Sequence, residues 1–328
     1  MKYLILGSGS FAGQALFNEC LKKGIDVFGI NRSLPLNDHF WPWIKNQKKY
    51  ISSHWFSYNI NSSLDEMIKK IQEINPDIVI DFMGQGMVAQ SWQNPENWYE
   101  TNISNKSKIL QVLLNLNLKK YIRIGTPEVF GSNKEFISED QSFNPSTPYS
   151  VSHCAIDMHV RCLGKQYDFP YVIARFANFY GVGQQLYRVI PRLFLSCYSG
   201  EKFVLDGLGK SKRSFIHSND FTDAIFKIIN SNLVKEEYNF STEEEISISE
   251  LVERICQLTK VDKDKIIRYG PERPGKDMFY RMDINKAKLL LNWEPQTSLE
   301  KGLFLVNEWI KDVFPKLSKE SWSYEHRN

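Results

Sequence analysis

The stretch Tyr3-Leu4-Ile5-Leu6-Gly7-Ser8-Gly9-Ser10-Phe11-Ala12-Gly13 runs a short apolar segment into a glycine-rich turn and then into a helical pattern. Four consecutive apolar residues suit a strand covered on both faces, as the strands of parallel sheets are. Similar runs recur at 26–30 (DVFGI), 77–83 (DIVIDFM), 121–125 (YIRIG) and 171–176 (YVIARF). Between them, apolar residues spaced by three and four predict helices over 11–23 and 97–118. Strands alternating with helices make βαβ units, and right-handed crossovers place the helices on both sides of one sheet. The expected fold is therefore α/β, a doubly wound parallel sheet.

Past Asn178 the pattern changes to isolated helices and short strands, with turn-rich connections in DGLGKSKR (206–213) and GPERPGKD (270–277). This predicts a main domain over 1–178 and a smaller α/β lobe over 179–328. The apolar helical run 221–230 suggests that the lobes interleave, with 214–232 returning to the first domain. No repeat or low-complexity tract is present.

With 328 residues the chain has room for about two domains of ordinary size. Lys plus Arg number 41 against 38 Asp plus Glu, a surplus too small and too dispersed for a nucleic-acid footprint. The five cysteines (Cys20, Cys154, Cys162, Cys197, Cys256) form no CxxC and no zinc-type spacing, which suits reduced thiols and predicts no metal. No window approaches the ~18 consecutive apolar residues of a membrane span. The expectation is a cytoplasmic protein, without a membrane or nucleic-acid partner, that acts on a small molecule.

The glycine turn indicates which small molecule binds first. Gly7 and Gly9 let the backbone turn tightly and approach a pyrophosphate, Gly13 lets helix and sheet pack closely, and Ser10 and Phe11 open a helix whose N–H groups attract anions. An ordinary Gly/Ser turn is the plainer alternative. The second strand should end beside an adenosine ribose, where an NAD site offers a carboxylate. This chain has Asn31 and then Arg32 there, so the repulsion of a 2′-phosphate is absent and Arg32 can pair with it. That favours NADP over NAD, unless Arg32 is simply solvated. Asn59 and Ile60 are placed to flank the adenine, and Phe82, Met83 and Gly84 to end a strand against the middle of the cofactor, with Gln85 following on the substrate side.

Two further stretches carry the chemistry: RIGTPEVFGS (123–132) and STPYSVSHCAIDMHVRCLGKQYDFPYVIARFANFYG (146–181). With the glycine turn they resemble the extended short-chain dehydrogenase/reductases, the NAD-dependent epimerase/dehydratase family, and most closely the nucleotide-sugar 4,6-dehydratases of the dTDP-glucose type. RSFIHSND (213–220), ERPGKD (272–277) and LNWEPQTSLEKGL (291–303) support the resemblance, which spans nearly the whole chain. It implies a Rossmann-type fold, a nucleotide-diphosphate sugar as substrate, and a homodimer built on the helices predicted over 97–118 and 147–167.

In that family a Ser or Thr, a Tyr and a Lys four residues after the Tyr act together; the matching positions are Thr126, Tyr149 and His153. Tyr149 and His153 share a helical face, where a cation lowers the phenol pKa and holds the nicotinamide ribose. A phenol of pKa ~10 is only about 0.1% ionised at neutral pH, so a tyrosine base needs such help. An imidazole of pKa ~6.5 gives less of it than lysine does, and His153 is also compatible with a packing or ribose-contacting role.

By the same resemblance Tyr149 takes the carbon 4 hydroxyl proton, Thr126 bonds that oxygen and Glu128 removes the carbon 5 proton. The family's Asp between the hydroxyl residue and the Glu is Pro127 here, which cannot donate a proton. Glu128 could alternatively cap its turn.

Asn178, Arg188, Arg192, Arg213 and Arg273 are candidates for the diphosphate, since a planar guanidinium bonds such oxygens in pairs. Asn102 matches a family asparagine beside the catalytic strand. Trp41, Trp43, Trp92, Cys154 and His217 read as structural. Three readings stay open: a 4,6-dehydratase as first choice, a nucleotide-sugar epimerase, and a cofactor-binding protein that has lost turnover through His153 and Pro127.

Overall fold

The computed structural model describes residues 1–271 and 280–324. Its centre is a seven-stranded sheet of β1 (Lys2–Leu6), β2 (Asp26–Asn31), β3 (Trp55–Ser57), β4 (Ile78–Asp81), β5 (Lys120–Gly125), β6 (Tyr171–Phe176) and β7 (Glu236–Phe240). The spatial order is β3-β2-β1-β4-β5-β6-β7, and every neighbouring pair is parallel. This is the Rossmann-type order, in which the strand order reverses between β1 and β4 and leaves a crevice at their carboxyl ends.

The continuous apolar runs are explained by burial on both sides. Ile5, Ile80, Ile122 and Val172 join the core under helices Phe11–Lys22 and Ser218–Asn230, while Leu4, Val79, Tyr121 and Ile173 join a second core with Met67, Leu110 and Ile156. Alternate residues of one strand thus feed two cores.

Strands Asn178–Tyr180, Lys212–His217 and Glu245–Ser247 form a separate three-stranded sheet, which takes in residues 214–217. Helix Ser218–Asn230 packs on helix Phe11–Lys22, and β7 extends the main sheet beside β6, so the chain from 218 to 240 lies with the main sheet. The polar residues of 236–239 hide this strand from a hydrophobicity scan.

The helix expected over 97–118 starts earlier, with Pro95 in its first turn, and ends at Leu113. Its middle, Glu100–Asn105, winds as a π-helix. Trp41 and Trp43 stack in the core next to Phe17, whereas Trp92 is 54% exposed. No helix among the described residues is long and apolar enough to cross a membrane.

Candidate active site

The glycine turn sits at the crevice between β1 and β4. Gly7 has φ +76°, and a Cβ there would lie 2.9 Å from the backbone of Phe82 and Met83. A Cβ on Gly13 would run into the Gly7 carbonyl, and one on Gly9 into the Asn31 side chain. Ser10 caps helix Phe11–Lys22, its Oγ accepting from Gly13 N–H at 3.0 Å. A backbone this close to β2 and β4, ending in a capped helix N-terminus, fits a dinucleotide pyrophosphate. Asn31 donates from Nδ2 to Ser33 O and Oγ, and Arg32 is exposed.

The loop after β4 is tightly held. Phe82 N–H donates to Leu6 O and Met83 N–H to Asp81 Oδ1, both at 2.8 Å. The π-turn aims Asn102 at Gln85, accepting its backbone N–H at 2.6 Å and donating to its carbonyl at 3.2 Å. Beneath them Lys106 pairs with Asp81 at 2.9 Å and donates to Met83 O, while Tyr121 donates to Asp81 at 2.6 Å. Burial pushes the Lys106 ammonium down to about 8, although Asp81 works against it.

The four residues assigned to chemistry come together past the end of β5. Thr126 caps the turn Pro127–Phe130, accepting Glu128 N–H at 3.3 Å, and Pro127 occupies the first turn, where its missing N–H costs little. Thr147 caps helix Pro148–Tyr167 with a reciprocal Ser150 bond, placing Tyr149 in the first turn.

Burial and the Glu128 carboxylate raise the Tyr149 phenol pKa, against which the Thr126 side chain, Arg188 and Arg123 work. The Tyr149 and His153 rings lie 4.5 Å apart.

His153 sits against the Arg123 guanidinium. Its Nδ1 lies 2.9 Å from Arg123 Nη2, and burial and that guanidinium push the imidazole well below its usual range. Sequence reasoning missed Arg123, because nothing local says where a strand arginine points. Arg123 bonds Asp157 at 2.7 Å, and Asp157 takes Arg175 at 2.8 Å. Arg175 and Arg161 then share Glu237.

The remaining candidates divide. Arg188 stands just before helix Val189–Ser199, near enough to act on Tyr149. Arg192, one turn on, instead lies over the Trp322 ring at 4.7 Å and pairs with Glu201 at 3.3 Å. Asn178 is exposed and donates to Ser214 O at 3.3 Å, and Arg213 donates to Lys212 O at 2.7 Å.

The Ile60 side chain joins the second core, and Asn59 Oδ1 accepts Asn61 N–H at 2.9 Å. Arg273 lies outside the described residues. Cys154 is buried with its thiol pushed up to about 12, and His217 caps helix Ser218–Asn230, both structural as expected.

The family model described as GDP-mannose 4,6 dehydratase matches residues 4–305. The dTDP-glucose 4,6-dehydratase of Haemophilus influenzae is 26% identical over 333 residues, 94% of this chain and 97% of the relative. That of Escherichia coli is 25% identical, over 98% and 95%. Among solved structures, the dTDP-glucose 4,6-dehydratase DesIV of Streptomyces venezuelae, with NAD and TYD bound, superposes with TM-score 0.85 at 21% identity, over 95% of this chain and 97% of that one. The UDP-glucose 4-epimerase of Thermotoga maritima, with UDP-glucose, gives 0.86 at 24%, over 96% and 100%. The chain belongs to the GDP-mannose 4,6 dehydratase family of extended short-chain dehydrogenase/reductases, and it is a nucleotide-sugar dehydratase-like enzyme.

Proposed function

We propose that the protein converts a nucleotide-diphosphate sugar to its 4-keto-6-deoxy form with loss of one water. A bound nicotinamide dinucleotide supplies a hydride acceptor and then a hydride donor. Tyr149 takes the proton of the carbon 4 hydroxyl, and Thr126 bonds that oxygen. The carbon 4 ketone acidifies the carbon 5 hydrogen, which Glu128 removes as a proton. The electron pair left on carbon 5 forms the double bond to carbon 6 and expels the carbon 6 hydroxyl. Pro127 has no proton to give, so the proton Glu128 has just gained leaves with that hydroxyl as water. Return of the hydride to carbon 6 and of a solvent proton to carbon 5, with Tyr149 giving up to solvent the proton it took, completes the 4-keto-6-deoxy product.

The observation that carries this reading is that Thr126 and Glu128, on one turn after β5, both lie close enough to the buried Tyr149 phenol to act on it. Exchange at carbon 4 alone needs no carboxylate there. Incubation with dTDP-glucose, UDP-glucose and GDP-mannose, followed by mass spectrometry, tests it. Loss of one water supports the dehydratase. An isobaric product makes the protein an epimerase, and cofactor binding without turnover makes it a binding protein.

Three finer assignments accompany this reading. NADP is the preferred cofactor, since Asn31 leaves no carboxylate at the ribose and Arg32 is exposed beside it. Residues 1–178 with the returning 218–240 carry the cofactor, and the smaller lobe carries the sugar nucleotide through Arg188, Asn178, Arg213 and Arg273. A cytoplasmic homodimer is supported by an apolar stripe on helix Pro148–Tyr167, where Val151 is 40% and Met158 56% exposed with Ala155 and Cys162 in line.

A further inference from the structure

Helix Pro148–Tyr167 presents Tyr149, His153, Asp157 and Arg161 along one stripe at four-residue spacing. Under it, Arg123 from β5, Arg175 from β6 and Glu237 from β7 share a face of the sheet, because their strands pair in register. Contacts run from Arg123 to Asp157, Arg175, Glu237 and Arg161. Three arginines meet two carboxylates, so one positive charge is left over. Arg123, 1% exposed, is the end of this cluster nearest the tyrosine helix turn.

A guanidinium only donates, so at 2.9 Å the His153 Nδ1 must be the acceptor, which leaves the ring hydrogen on Nε2. A protonated His153 would have no lone pair there and would face Arg123 as a like charge. Asp157 on its own helix, Lys106 and Arg175 also face it; of these only Asp157 favours the charged ring.

We infer that Arg123 is a positioning residue for the Tyr149 base, holding His153 as the neutral Nε2–H tautomer and supplying from the sheet the positive charge that relatives carry on a lysine one turn after the tyrosine. The inference rests on the reading of Tyr149 as base, and it divides the lysine's two tasks: His153 keeps a ring N–H for the ribose, and Arg123, alongside Arg188, keeps the charge. It also explains why the family lysine is absent, since an ammonium at position 153 would stand against Arg123 in a buried site.

Nitrogen-15 NMR of histidine-labelled protein, with His153→Gln to assign the signal, reads the tautomer without substrate. The expected result is a single Nε2–H form from pH 5.5 to 8.5, and Arg123→Met should restore titration near the ordinary range. A His153 that titrates near pH 6.5 in the unaltered protein overturns the inference.

The second measurement is a mutant cycle read by kcat, KM and thermal unfolding. His153→Lys alone should lose at least about tenfold in kcat and melt earlier, and adding Arg123→Met should recover both. Additive losses overturn it. If Arg123→Met does not fold, Arg123→Lys keeps a charge but loses the fork, and should lower kcat with little change in KM; an unaltered kcat counts against the inference. A protein that shows the expected tautomer yet turns over none of the nucleotide sugars refutes the proposed function and leaves the tautomer assignment standing.

Discussion

Asn102 grips the backbone of Gln85 at both of its polar groups, accepting the N–H at 2.6 Å and donating to the carbonyl at 3.2 Å, from a single π-turn set into an otherwise α-helical segment. The extra residue of that turn rotates Asn102 onto the loop after β4, where the cofactor's centre is expected. A π-turn inside a helix often marks a functional site.

Asn102→Leu should therefore strip partners from two buried backbone groups and from Ser152 Oγ, which Asn102 also bonds at 3.0 Å. Unsatisfied buried groups cost about 1–3 kcal/mol each. Urea unfolding should show a loss in that range, and fluorescence titration with reduced cofactor should show weakened binding. Unchanged cofactor affinity would mean the grip serves stability only.

Glu128 and Tyr149 act at different carbons in the proposed sequence, so their variants should separate. Glu128→Gln should suppress deuterium incorporation at carbon 5 by roughly 10²–10⁴-fold while single-turnover oxidation at carbon 4 persists. Tyr149→Phe should lose both. Exchange at carbon 5 that survives Glu128→Gln would move the base elsewhere.

Arg32 is exposed at the end of β2, next to Asn31 where a carboxylate would favour NAD. Arg32→Ala should weaken NADPH binding at least about tenfold, the loss of one charge-assisted contact, and leave NADH binding nearly unaltered. Equal effects on the two cofactors would remove the argument for NADP.

His217 is buried against Tyr180, its ring centroid 5.3 Å away, and accepts Asn219 N–H at 3.3 Å. Burial, helped by Lys301, pushes it down to about 4. Its folded pKa lies below the unfolded value near 6.5, so between these values the unfolded chain binds more protons. Stability should then fall as pH drops from about 6.5 towards 4, by on the order of 3 kcal/mol from this group. His153, depressed in the same direction, adds to the slope. Urea unfolding free energies across that range should flatten in His217→Asn, which keeps a capping side chain; an unaltered slope would assign the acid sensitivity to other groups.

Local patterns in the chain suffice for what is decided within one or two turns of backbone. Continuous apolar runs specify strands buried on both sides, Gly7, Gly9 and Gly13 specify the turn, and Thr147-Pro148 starts the helix that carries Tyr149. From these follow the doubly wound sheet, the cofactor crevice and the convergence of Thr126, Glu128 and Tyr149, because each sits at the end of a strand or the start of a helix in a known order. Only the tertiary structure decided that polar β7 joins the main sheet, that Asn102 reaches Gln85, that Arg192 turns to Trp322, and that Arg123 meets His153 from another element. Each of these is a contact between segments far apart in the chain, set by strand register and helix packing, and no local spacing encodes the partner.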